Sequence, residues 1–342
     1  MQKLLILETT CDETAAAVVT DELEVLSSVV ASQEKLHERF GGVVPELASR
    51  AHVERILPVI DQTLSKAGLG IDAIDAVAVA NTPGLAGSLL VGLAAAKALC
   101  VARQIPLVAV NHLQAHIYAC RLSSGEDVFP CLGLIVSGGH SSLYRCTTPL
   151  EFELLGGTID DAAGEAFDKV ASLLGLPFPG GPSIEKAARD GNPKAVALPR
   201  PLIDEDRLDF SFSGLKTAVR YRIAPPGTPE PVDRPTGQRL ADLAASFQEA
   251  VVDCLVAKTL LAVERTGMRI LCVGGGVAAN ARLRERLSEE TSQRGITLHI
   301  PPLRLCTDNA VMGAIAVERL KKGLVEELDL DVAPGLVRHA GA

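Results

Sequence analysis

The sequence predicts an α/β protein of two lobes built from a duplicated unit, and three observations carry that expectation. The chain has 342 residues, enough for two lobes of ordinary domain size, each burying its own core. Its content is 47% hydrophobic and 22% charged, as in a folded globular protein, with the apolar residues mainly small and aliphatic and aromatics only 3%. Short apolar runs of strand length alternate with helix-length segments, and the same order occurs twice.

In the first half, strands are expected at Lys3–Glu8, Ala15–Thr20 and Val25–Ala31, then a helix from Pro45 to Ala67. A strand at Ala76–Ala80, a helix over Gly84–Arg103, a strand at Leu107–Val110 and a helix from His112 complete the unit. The polar stretch Ser123–Asp127 reads as a linker, which divides an N-terminal lobe, 1–125, from a C-terminal lobe, 126–342. Strands at Cys131–Val136, Ser142–Cys146 and Phe152–Leu155 and a helix over Ala162–Leu174 restart the pattern. A long helix at Arg239–Thr266, a strand at Arg269–Val273, a helix from Asn280, a strand at Thr297–Ile300 and a last helix from Asp308 finish it. Proline, glycine and charge cluster between, at about 176–238, as an insertion. Paired lobes of this order are the arrangement of the actin, hexokinase and heat-shock ATPase superfamily, a ribonuclease H-like (ASKHA) fold that grips a nucleotide in a central cleft.

Composition narrows the function. A net charge of −9 argues against a general polyanion binder, and the absence of Trp against aromatic stacking on single strands. Eight cysteines without a CxxC pair fit reduced core thiols. The start of the chain lacks a basic segment followed by an apolar core, so a cytoplasmic, soluble protein is expected. Gly84–Ala102 is nearly all apolar, but Lys97 and its Ala and Gly content read as a buried helix and not a membrane span.

Candidate chemistry sits at the strand ends. Glu8 to Thr14 and Ser137 to Ser142 are tight polar turns at equivalent points of the repeat; in the second, Gly138 and Gly139 let backbone N–H groups approach phosphate oxygens. Gly274-Gly275-Gly276 leads into a helix at Asn280, whose free N–H groups suit an anion; it is not GxGxxG. His112 and His116 are four residues apart, so they share a helix face and can chelate one divalent ion if Asp308 supplies a third ligand. An HExxH protease would need Glu where Leu113 stands. Asp160 and Asp161 read as acidic residues at a helix start, Asp168 as a carboxylate able to bind hydroxyls, and Pro179-Gly180-Gly181-Pro182 as a rigid turn.

Taken together, Glu8 to Thr14, Asn111 to His116, Val136 to His140, Asp161 to Lys169, Phe210 to Thr217, Gly274 to Asn280 and Cys306 to Ala310 closely resemble the TsaD (Gcp/YgjD) family, bacterial relatives of the KEOPS catalytic subunit. The resemblance implies transfer of a threonylcarbamoyl group from threonylcarbamoyl-AMP to N6 of adenosine 37 in tRNAs that read codons beginning with A, with release of AMP. It implies that His112, His116 and Asp308 hold one metal ion, Fe(2+) in the first place, with Zn(2+) or Mg(2+) as alternatives. Ile135, Val136, Ser137, Gly138, Gly139, Asp168, Gly181, Glu185 and Asn280 would line the adenylate and threonyl pocket, and Asp12 would orient or deprotonate the attacking amine. Gln114 stands where the family often has Glu, which removes a general base there; Glu185 stands where Asp is frequent, which lengthens that carboxylate's reach. A TsaB-like paralogue and a TsaE-like ATPase are the implied partners. Basic residues cluster at Arg282 to Arg286 and Lys216 to Arg222, which read by default as solvated helix faces and otherwise as local contacts for tRNA. A nucleotide-gated binding module of the same fold is the alternative, and a metalloprotease a weaker one.

Overall fold

A computed structural model describes residues 1–224, 227 and 234–335. The chain forms two compact units, one from 1–126 together with the segment from Thr307 onward, the other Asp127–Cys306. Chain order had assigned that last segment to the second lobe; it folds with the first. Positions 225–226 and 228–233 of the expected insertion lie outside the described residues.

In the first unit, strands β1 (Lys3–Glu8), β2 (Glu13–Thr20) and β3 (Val25–Ser32) form an antiparallel meander, followed by the short α1 (Glu34–His37) and the long α2 (Pro45–Ala67). Strand β4 (Ala76–Thr82), helix α3 (Ala86–Arg103), β5 (Leu107–Asn111) and α4 (His112–Ser124) follow. The sheet order is β3-β2-β1-β4-β5, with β4 parallel to both β1 and β5. β1 and β2 run as continuous apolar stretches because both faces of their sheet are covered, and Leu4 to Leu7 and Ala15 to Val19 are fully buried.

The second unit repeats this plan. Strands β6 (Cys131–Val136), β7 (Ser141–Thr148) and β8 (Glu151–Gly157) precede α5 (Ala163–Leu174), α6 (Gly180–Ala188), α7 (Ser213–Ile223) and α8 (Gly237–Thr266). Strand β9 (Ile270–Gly274), α9 (Ala281–Gln293) and β10 (Thr297–His299) close it, and the sheet order β8-β7-β6-β9-β10 matches the first sheet strand for strand in sense. Duplication is therefore visible in topology, as the repeated order of elements predicted.

Four local expectations are corrected. Helix α3 is long and apolar enough to cross a membrane, yet it is buried along only one stripe, through Ser88, Leu89, Gly92, Leu93, Ala96 and Cys100; Leu90 and Val101 face outward. A single apolar side lies on the sheet, so full burial was not required. Pro179 to Pro182 is no free turn, because Gly180 and Gly181 begin α6. Asp160 does not serve a helix dipole: it accepts from the backbone N–H groups of Phe212 and Ser213 and from the hydroxyls of Ser211 and Ser213, tying the approach to α7. The last helix does not start at Asp308 either; a 3-10 turn, Ala310–Ile315, comes first and runs into α10 (Ala316–Lys321).

The segment after α10 straps the first unit. Glu326 N–H donates to Leu107 O, Lys97 Nζ donates to Leu330 O, and Gly84 N–H donates to Pro334 O. The first of these bonds bridges to the outer edge of β5, and the other two tie the segment to α3 and the loop before it.

Candidate metal centre and glycine turns

The first unit gathers its polar residues where β1 ends and α4 begins. Asn111 caps α4 by accepting from the N–H groups of Leu113 (2.9 Å) and Gln114 (3.3 Å), which fixes His112 and His116 on successive turns of one face. Their rings meet edge to face, with centroids 4.6 Å apart. Asp308 arrives from the far end of the chain, placed by two local devices. Asn309 caps the following 3-10 turn through Met312 N–H, and that turn lies so close on β1 that a Cβ at Gly313 would sit 2.5 Å from Ile6 Cγ2. Asp308 Oδ1 is 3.5 Å from His112 Nε2 and 3.3 Å from His116 Nε2.

The donor atoms of these three residues lie within 4.8 Å of one another. His116 is fully buried, and neither of its ring nitrogens makes a hydrogen bond within the unit, Nε2 facing Asp308 Oδ1 at 3.3 Å without hydrogen-bond geometry. A buried polar nitrogen without a hydrogen bond is costly unless something else is its partner, so the residues fit a divalent ion. Charge points the same way. Burial raises Glu13 well above the usual carboxylate range, and Asp308, Asp12 and Glu8 add to it by repulsion. Burial opposes protonation of His112, but Asp308 and Glu8 outweigh it and lift its pKa to about 9. His116, dominated by burial, is lowered. Such a cluster of acids draws in positive charge. Cys11, in the same turn, is raised well above its ordinary value by burial and then by Asp12 and Asp308, so it stays an unreactive thiol.

The sequence readily exposed the three candidate ligands but missed Glu8. Its Oε2 lies 3.1 Å from His112 Nδ1, and its Oε1 accepts from Thr10 N–H at 2.7 Å, while Thr10 Oγ1 is 3.2 Å from the same Nδ1. A carboxylate closing an otherwise apolar strand was the available signal. Asp12 sits at the entry to β2, its backbone carbonyl accepting from Gln33 N–H, and its charge acts on Cys11 and Glu13.

In the second unit, Ile135 and Val136 are the buried end of β6, and the turn Ser137–Gly139 emerges from it with both glycines exposed. Helix α5 is built onto that turn: Gly164 N–H donates to Ser137 O (3.2 Å) and Glu165 N–H to Gly138 O (3.1 Å). Gly275, at φ +97°, passes so close that a Cβ there would meet Val136 O at 2.4 Å. Asp168 is partly committed to structure, since its Oδ1 accepts from Gly180 N–H at 2.7 Å and holds the start of α6. Gly181 has open space where a Cβ would stand.

Asn280 caps α9 by accepting from Leu283 N–H, and its amide donates to Gln248 Oε1 (2.9 Å) and Glu185 Oε2 (3.2 Å). Glu185, Gln248 and Arg282 also line a cavity of about 690 Å³ in this unit. Asn280→Ala removes the cap and strands Gln248, so a loss of about 1–3 kcal/mol is expected in denaturant unfolding. An unchanged midpoint would count against that network.

The basic stretch Arg282 to Arg286 is not a free face for polyanions. Arg282 pairs with Glu249 (2.7 Å), Arg286 with Glu249 and Asp253, and Arg284 donates to the carbonyls of Ala278 and Pro301.

Comparison with known proteins agrees with these motifs. A family model described as TsaD, tRNA N6-adenosine threonylcarbamoyltransferase, matches residues 24–315. A protein of that name from Rhodopirellula baltica is 54% identical, over 98% of this chain and 97% of its own length. Another from Anaeromyxobacter dehalogenans is 50% identical over 98% and 99%. Among solved structures, full-length HypF in its phosphate- and nucleotide-bound form superposes with a TM-score of 0.62 at 15% identity, over 94% of this chain and 46% of that one. Component A of the Acidaminococcus fermentans (R)-2-hydroxyglutaryl-CoA dehydratase gives 0.54 at 13% identity, over 94% and 100%. At such identities the likeness speaks for the fold, which is of the actin-like ATPase class.

Proposed function

We propose, for a chain that belongs to the TsaD family of tRNA N6-adenosine threonylcarbamoyltransferases and is such a transferase, a division of labour between its two units. The first unit supplies a metal centre and a base, the second a cradle for an adenylate. The observation that carries this reading is the meeting of His112, His116 and Asp308, with buried His116 nitrogens that lack hydrogen bonds.

Those three residues are read as holding one divalent cation. Two imidazoles and a carboxylate suit Fe(2+) or Zn(2+), whereas Mg(2+) favours an all-oxygen shell. When bound, such an ion offers Lewis acidity and a compensating positive charge to oxygens of the donor.

The donor is read as threonylcarbamoyl-AMP, a mixed anhydride already activated for acyl transfer. N6 of adenosine 37 attacks the carbamoyl carbon; the new N–C bond forms, the C–O bond to phosphate breaks, and AMP leaves with the electron pair. Asp12 accepts the proton that N6 loses. The exposed N–H groups of Gly138 and Gly139 stabilise negative charge on the phosphate, with Ile135 to Ser137 fixing their position. Asp168, Gly181, Glu185 and Asn280 complete the pocket for the adenosine and threonyl groups. No covalent enzyme intermediate is needed, consistent with eight cysteines outside any disulfide, seven of them buried.

Arg282 to Arg286 being paired, Lys216 to Arg222 on α7 is the better candidate for tRNA phosphate, with Lys216, Tyr221 and Arg222 exposed. An acidic chain with so small a basic patch binds tRNA weakly alone, and a TsaB-like paralogue and TsaE-like ATPase would strengthen it. These roles belong to the cytoplasm, where tRNA is modified. Purified chain, threonylcarbamoyl-AMP, unmodified tRNA and those partners should together yield N6-threonylcarbamoyladenosine by nucleoside mass spectrometry. No modified nucleoside, with every component present, would refute the reading.

A further inference from the structure

We infer that Glu8 is a positioning residue for the metal centre, which orients His112 so that its Nε2 carries the lone pair facing Asp308. The inference rests on the reading of His112, His116 and Asp308 as ligands, and it adds a residue that binds neither ion nor substrate.

Hydrogen-bond bookkeeping supports it. An ionised carboxylate only accepts, so with Glu8 Oε2 3.1 Å from His112 Nδ1, that nitrogen carries the hydrogen. An ion bound there displaces the other ring hydrogen, so the lone pair that meets it lies on Nε2, the nitrogen on the Asp308 side, 3.5 Å from Oδ1. Glu8 cannot easily turn away. It is 3% exposed, and its second oxygen is held by Thr10 N–H at 2.7 Å. Thr10 in turn is anchored from outside, since Leu85 N–H donates to its carbonyl at 2.8 Å and its hydroxyl also reaches Nδ1. Strand β1, the following turn and the first turn of α4 thus meet on one carboxylate. Outer partners of this kind fix ligand tautomer and ring angle.

Glu8→Gln is the discriminating change, because it keeps the shape while replacing one acceptor by a donor. If the amide oxygen faces Thr10 N–H, the NH2 group confronts Nδ1 and pushes the ring hydrogen onto Nε2; if it flips, NH2 confronts Thr10 N–H. The first arrangement inverts the tautomer, and the second loses the Thr10 contact. In the full chain, Zn(2+) affinity by competition with a chromogenic chelator should weaken about 10–100-fold. Thermal unfolding of the same sample checks that it is folded. His116→Ala is run beside it. Equal Zn(2+) binding by wild type and His116→Ala sinks the ligand reading itself. Loss of binding in His116→Ala with affinity within about threefold of wild type in folded Glu8→Gln overturns the role of Glu8 alone. A further measurement needs no variant: in Cd(2+)-loaded wild type, nitrogen NMR should show His112 bound through Nε2 with its proton on Nδ1. Coordination through Nδ1 overturns the inference.

Discussion

Asp308→Ala is expected to reduce threonylcarbamoyl transfer at least about 100-fold while leaving the protein folded. The carboxylate stands 3.3–3.5 Å from both imidazole Nε2 atoms, and it is the only acidic group among the three proposed ligands. Its removal leaves two neutral donors, too few to hold a dication against water, so metal content measured on the purified variant should fall in parallel with turnover. Stability should change little. Without an ion Asp308 repels Glu13 and Cys11, whose pKa values it helps to raise, but it also attracts the protonated ring of His112, and the two effects oppose each other. Metal-free Asp308→Ala should therefore melt close to metal-free wild type. Wild-type turnover in the variant, or a much lower melting point, would contradict this assignment.

Gly164→Ala should damage the second unit through shape alone. A Cβ there would stand 2.6 Å from Ser137 O and 2.8 Å from Gly138 Cα, both backbone atoms that cannot rotate aside. Either α5 or the Ser137–Gly139 turn must move, at a cost of about 1–3 kcal/mol for forced overpacking. The displaced turn is the proposed phosphate cradle, so KM for the donor should rise more than kcat falls. Gly139→Ala is the control: nothing lies within 4 Å of its added Cβ, and stability should stay within about 0.5 kcal/mol of wild type. Denaturant unfolding of the two variants side by side makes the comparison. Equal midpoints would show that the packing of α5 on the turn is not what holds it.

Periodicity exposed every strand and the long helices, because apolar runs on a covered sheet and one-sided helical stripes leave plain traces, but it missed α1, and α6 and α7 within the expected insertion. Helix α2 was legible as a stretch from about Pro45 to Ala67, with Pro45 in its first turn, and the structure adds the left-handed Gly68 that ends it. What escaped were devices that depend on contacts between distant segments. Asp160 looked like a helix-start acid, and only folding shows Ser211 and Ser213 reaching it. Arg282 and Arg286 looked solvated because Glu249 and Asp253 lie on another helix. The three proposed ligands were visible as residue types with the right spacing, yet Glu8 was not, since nothing local links the end of β1 to His112. The final segment was assigned by chain order, but long-range packing puts Asp308 in the first unit.

That placement has a consequence for how the protein matures. A ribosome delivers both histidines long before it delivers their aspartate, with the whole of Asp127–Cys306 synthesised in between. On the proposed reading, the nascent chain therefore displays an incomplete chelate until Asp308 is synthesised, and a copy that stops before that residue lacks one of the three proposed ligands.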